Sequence, residues 1–183
     1  VTITLDADAA GKAGDLDNAL RLDDLVAAGW TTSPATTAAD GATSLSVSKG
    51  FADQAGFTAV MEELNPTVFR DFVLEKSSDL FGTSFSVTGT IDLTGGLRSF
   101  SDADLDAVAG DPVGAELAAV EQREGRPATD MVGVSLSVAL PGKSEAITYQ
   151  PSFSDPAPTT VDASSKQGSA LSSWTFWVLA VLV

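Results

Sequence analysis

Side chains able to do chemistry are few in this chain of 183 residues, and two kinds are missing: it contains no His and no Cys. Their absence removes Ser-His-Asp triads, thiolate nucleophiles and every zinc, haem or iron–sulfur centre that His or Cys would ligate. Three arrangements remain to be weighed. Asp6-x-Asp8-x-x-Gly11 spaces its carboxylates like the opening of a calcium loop, but Ala10 stands at the third ligand position and Asp17 where a bidentate Glu should close it. Caps and turns account for it better. Ser46-Val-Ser-Lys49 has the S-x-x-K spacing that sets a serine nucleophile one helical turn from a lysine. Here the residues alternate with period two, so the stretch is a strand and points Ser46 and Lys49 to opposite faces. Gly95-Gly96 lies in no phosphate-cradling pattern. Nothing marks a carboxylate pair for glycoside hydrolysis. The chain is therefore expected to be non-enzymatic, without metal or cofactor, a carboxylate-based hydrolase being the remote alternative.

Charge narrows the partners. Ten basic residues against 25 acidic ones give a net charge of −15, and nucleic acid, which demands a basic stripe, is excluded as a partner. Of the acids 18 are Asp and 7 are Glu, a balance that suits caps and turns. Asp23-Asp24 and the Asp102, Asp104, Asp106 series read as first-turn or solvated-face acids.

The elements that must position any site follow from periodicity. A helix is expected over 16–28, with Leu22, Leu25 and Val26 on one face and Gly29 as its stop. Trp30 starts a strand, and Asp40-Gly41 turns it into an alternating strand over 43–48. A second helix over 53–64 keeps Phe57, Val60, Met61 and Leu64 at i, i+3, i+4, i+7 before Asn65-Pro66 ends it. A strand over 69–76 has Phe72 and Leu74 on one face, and a longer one has Phe85, Val87, Gly89, Ile91 and Leu93 on one face. Short helices follow over 101–108 and from Asp111-Pro112 to Gly125, the second burying Leu117 and Val120. Val132, Val134, Leu136, Val138 and Leu140 form the clearest strand, which Pro141-Gly142 turns toward Ile147 and Tyr149. Such strict alternation favours antiparallel pairing. The fold class is α+β: a twisted, mainly antiparallel sheet with helices packed on one face. Trp30, Phe51, Phe57, Phe69, Phe72, Phe81 and Phe85 supply its core or, where they do not close up, an apolar ligand cleft.

The last charge is Lys166, and seventeen uncharged residues follow it. Residues 154–170 read as a Pro/Ser/Thr linker and 171–183 as the start of a C-terminal transmembrane helix, with Trp174 and Trp177 anchored at the headgroup level. The thirteen residues from Leu171 reach roughly 20 Å as a helix, against a hydrocarbon core of about 30 Å, so the helix is expected to be truncated here. Residues 1–153 form the folded domain, its N-terminus also truncated.

Several stretches together carry a resemblance: Leu25-Val-Ala-Ala-Gly-Trp30, the Asp40-Gly41 turn, Phe51 before the second helix, Thr88-Gly-Thr-Ile-Asp-Leu93, Phe100-Ser-Asp102 and Leu140-Pro-Gly142. With them the chain resembles the LppM-like family of actinobacterial cell-envelope (lipo)proteins over roughly residues 1–150. The resemblance implies an exported lipoprotein signal, one extracytoplasmic α+β domain, a single C-terminal transmembrane helix and a binding or scaffold role in the envelope. The signal and the lipobox Cys of that pattern are not among these residues. The resulting expectation is a single-pass membrane protein with its domain outside, binding a lipid or glycolipid in a cleft lined by Trp30, Phe57, Met61, Phe72 and Phe85. The alternative is a structural subunit that binds an envelope protein partner. Net charge predicts repulsion from anionic headgroups, so that lipid contact is apolar or cation-mediated and insensitive to salt.

Overall fold

The computed structural model describes residues 1–13, 23–100 and 112–168. Its strands are β1 (Thr2–Leu5), β2 (Thr31–Thr37), β3 (Thr43–Ser48), β4 (Phe69–Asp79), β5 (Gly82–Ile91), β6 (Val132–Val138), β7 (Ile147–Tyr149) and β8 (Thr159–Gly168). They build two sheets where one was expected, a five-stranded sheet β2-β3-β1-β6-β7 and a three-stranded sheet β4-β5-β8. All the pairings among the described residues are antiparallel. The helices described are α1 (Ala7–Ala13), α2 (Asp23–Ala27), α3 (Gln54–Glu62) and α4 (Pro112–Glu124). The class is α+β.

Alternation explains the layering. Inward residues of β6 (Val134, Leu136, Val138) share one core with Val87 and Ile91 of β5, Val161 and Ala163 of β8, and Phe57 of α3. The two sheets are tied where Ser165 Oγ donates to the Pro141 carbonyl at 2.8 Å and where the Asp162 N–H donates to the Tyr149 hydroxyl at 3.1 Å. At the outer edge of the five-stranded sheet, β2 accommodates Pro34 in an irregular register between Ser33 and Thr36, where a missing N–H costs no ladder bond.

Helix α3 is well specified. Asp53 caps it, its Oδ1 accepting the Gly56 N–H at 2.8 Å. Phe57 and Val60 are buried on its inner side. Phe51, just before the cap, packs edge-on against Phe57 with ring centroids 5.0 Å apart. Helix α2 ends at Gly29, which takes φ +84 and donates to the Val26 carbonyl.

Three expectations are corrected. Residues 154–170 are not a linker throughout, because β8 pairs with β5 residue for residue from Thr159↔Ile91 to Gly168↔Gly82. The strand escapes notice because its inward residues are small, Val161, Ala163 and Ser165, amid Thr, Asp and Ser. The alternation over 69–76 is not continuous. The register of β4 slips between Arg70 and Val73, with Asp71 at φ 56, so one extra residue brings both rings toward the core. An Asp tolerates that left-handed conformation better than most residues. Phe81 and Val26 are not core residues, being 72% and 53% exposed. The helix expected over 101–108, the side chain of Leu117 and the segment 171–183 with Trp174 and Trp177 lie outside what the structure describes. Among the described residues no helix is long and apolar enough to cross a membrane.

Candidate functional site

Between α3, the end of β6 and the β4–β5 hairpin the side chains do not close up. They leave a cleft of 710 Å³, within the range of small-molecule sites. Trp30, Phe57, Met61, Phe72 and Phe85 all line it. The five residues come from four separate places in the chain, the lead-in to β2, α3, β4 and β5, and the fold brings them around one cleft.

Each side is built by a local device. The floor is the β4–β5 ladder, where Leu74 lies opposite Val87 and Lys76 opposite Phe85. Phe72 stands on this face by alternation with Leu74, and Gly89 makes room for it, since a Cβ at Gly89 would lie 2.6 Å from the Phe72 ring. The roof is α3, contributing Phe57, Val60 and Met61. The far wall is the end of β6, Leu136 to Pro141. Large rings meeting across a two-sheet corner pack less tightly than the small inward residues of β8, and space remains.

One rim is held by charge. Lys49 Nζ donates to both carboxylate oxygens of Glu63, at 2.7 and 2.6 Å, and to the Ala28 carbonyl at 2.7 Å. The indole N–H of Trp30 donates to Glu63 Oε2 at 2.7 Å, and the Lys49 ammonium lies 5.7 Å from the Trp30 ring centroid. The Lys49 ammonium, and next the Trp30 indole, hold the Glu63 carboxyl below its ordinary range. This bridge pins the chain end of α3 to the start of β2 and fixes Trp30, which is 6% exposed. Sequence reading noted Lys49 for a different reason and did not find Glu63. Their separation in the chain gives no local signal.

The chemical candidates find other partners. Ser46 shares a hydrogen bond with Thr2 across the β1–β3 ladder, while Lys49 is engaged by Glu63. Asp6 caps α1, its Oδ1 accepting the Ala9 N–H at 2.9 Å, and Arg126 pairs with both Asp6 and Asp8. The Ala9 N–H leads the causes that lower the Asp6 carboxyl. Among the described residues no three metal-ligating side chains converge. Gly96 turns the chain at φ +65 into the 3-10 turn Gly96–Phe100.

No protein-family model, no curated protein and no solved structure matches this chain.

Proposed function

We propose that the chain is a non-enzymatic, membrane-anchored cell-envelope domain, akin to the LppM-like family, that holds the acyl part of a lipid or glycolipid in the aromatic cleft. The observation that carries this reading is the 710 Å³ cleft itself, walled by aromatic and aliphatic side chains. Burying an acyl chain there gains about 0.8 kcal/mol for each methylene removed from water. In this reading the apolar segment 171–183 enters the membrane with Trp174 and Trp177 at its interface, and the domain lies on the extracytoplasmic side. A purely structural or partner-binding role calls for a closed core and a contiguous exposed apolar patch, and an open, aromatic-lined cleft favours the ligand reading.

The test is native mass spectrometry of the chain released from detergent after incubation with extracted envelope lipids. One acyl-bearing species should remain bound, and Met61→Trp, which fills the cleft, should lose it while keeping the circular dichroism of the parent. No retained lipid, or equal retention by Met61→Trp, overturns the reading.

A further inference from the structure

The β4–β5 hairpin ends in two residues that no turn requires. Asp79 pairs with Gly82, so Leu80 and Phe81 form a two-residue loop, a place where Gly, Asn, Asp or Ser normally stand. The turn is made by its neighbours instead: Asp79 Oδ1 accepts the Phe81 N–H at 2.7 Å, and Gly82 takes φ +155 where a Cβ would lie 2.2 Å from the Gln167 carbonyl oxygen. The two apolar side chains project at 83% and 72% exposure, the two highest values among the exposed large hydrophobic residues described.

The same end of the sheet gathers lysines. Lys76 lies three residues before the turn, over the Phe85 ring at 5.7 Å. Lys166 is in register with Ser84, itself opposite Ser77. Lys143 follows Gly142, which abuts the Lys166 carbonyl, and Lys143 and Lys166 border one shallow depression with Glu75, Ser84 and Ser164. All three lysines are exposed, and among the described residues none pairs with a carboxylate. In a chain of net charge −15 with ten basic residues, three unpaired lysines thus stand beside two projecting apolar side chains, among the exposed acids Glu75, Asp79 and Glu145. The hairpin's own acids are Glu75 and Asp79, and Asp79 is engaged by the Phe81 N–H. Finally, β8 ends at Gly168, which pairs with Gly82 beside this tip.

We propose that the Leu80–Phe81 tip is a membrane wedge that inserts into the interface of an anionic bilayer while Lys76, Lys143 and Lys166 meet its headgroups. Lysine stems lie along apolar surface and carry their ammonium groups outward to phosphate. Net charge does not forbid this, because at physiological ionic strength the screening length is about 8 Å, and carboxylates farther away are largely silent. The wedge extends the membrane-anchoring reading, and of its lysines Lys76 also borders the cleft.

The absence of Cys makes the test clean, since Phe81→Cys gives a single labelling site in the full chain for an environment-sensitive fluorophore. Ala42→Cys, at the β2–β3 turn, is the control. With vesicles of phosphatidylcholine and phosphatidylglycerol, the label at position 81 should shift to the blue and brighten several-fold, and the label at position 42 should not change. Replacing the three lysines by Gln should move the in–out equilibrium of the tip by roughly a hundredfold, about fivefold for each lysine at an anionic surface, and abolish the shift. A label at position 81 that stays water-like on vesicles with which the chain co-floats overturns the wedge and leaves the anchor standing. Failure to co-float overturns both. Equal insertion into purely zwitterionic vesicles, or a blue shift that grows with protein concentration before lipid is added, also overturns it.

Discussion

The two ends of the β4–β5 ladder are built from the same strands and behave differently. At the Phe69–Ile91 end the packing is sealed: Val68, Ile91 and Leu93 are at most 3% exposed. Asn65 closes that end, its Oδ1 accepting the Thr67 and Val68 N–H groups and its Nδ2 donating to the Ser99 carbonyl at 2.6 Å. At the Lys76–Phe85 end the side chains do not close up and the cleft opens. Small branched residues interdigitate, whereas large rings set on a helix, a slipped strand and a sheet corner leave a gap. The difference separates a part of the molecule that holds the fold from a part free to hold something else.

Removing side chains at the two ends should expose that contrast most strongly. Ile91→Ala leaves a cavity in the sealed end and should cost about 2–5 kcal/mol, whereas Phe85→Ala, at a half-buried ring beside existing space, should cost about 1 kcal/mol. Urea unfolding of both variants measures this, and equal losses would break the distinction. Next in size, Gly89→Ala drives a methyl against the Phe72 ring and should cost about 1–3 kcal/mol. Because the ring is displaced toward the cleft, lipid retention in the mass spectrometer should fall as well. Loss of stability with full retention would mean that Phe72 does not shape the cleft.

Legibility followed the same division. Helix α3 and strand β6 were readable because apolar residues recur there at a single clean period, and α3 brought with it Phe57 and Met61, two of the five residues expected to line the cleft. Strand β8 was not, because an inward row of Val161, Ala163 and Ser165 carries too little hydrophobicity to stand out after three prolines. The slip at Asp71 was invisible for another reason: one inserted residue reverses the face of everything before it, and strict alternation would have set Phe69 and Phe72 on opposite faces. The splitting into two sheets depends on pairings between distant strands, on which local alternation is silent. Glu63 and Lys49 are likewise joined by the fold.

Smaller effects sharpen the roof of the cleft. Asp53→Ala removes the cap of α3 and should cost about 1 kcal/mol in thermal unfolding. An unchanged melting temperature would mean that the helix is held by its packing alone. The least effect is a pH dependence at Glu63. Its folded carboxyl titrates below the unfolded value of about 4.3. The stabilisation is therefore complete above that value and disappears as pH falls through the lower, folded one. Glu63→Gln should be less stable than the parent near neutral pH, and the gap in melting temperature should narrow on acidification. A gap constant down to about pH 3 would remove the ion pair from the account.

The placement of β1 has a consequence for how the chain comes to be folded. It lies in the middle of the five-stranded sheet, with Ile3 opposite Leu45 on one side and Val134 on the other. One neighbour is made early in synthesis and the other only after most of the described chain has emerged. Until β6 arrives, β1 and β3 form a ribbon with a raw edge of unpaired backbone groups, the kind of template that recruits other chains. Closing so large a loop is entropically slow, and folds dominated by such distant pairings form in milliseconds to seconds. Final assembly of this sheet therefore waits for the C-terminal half, and an export or chaperone system that keeps the nascent ribbon apart from its copies would set the yield of folded protein.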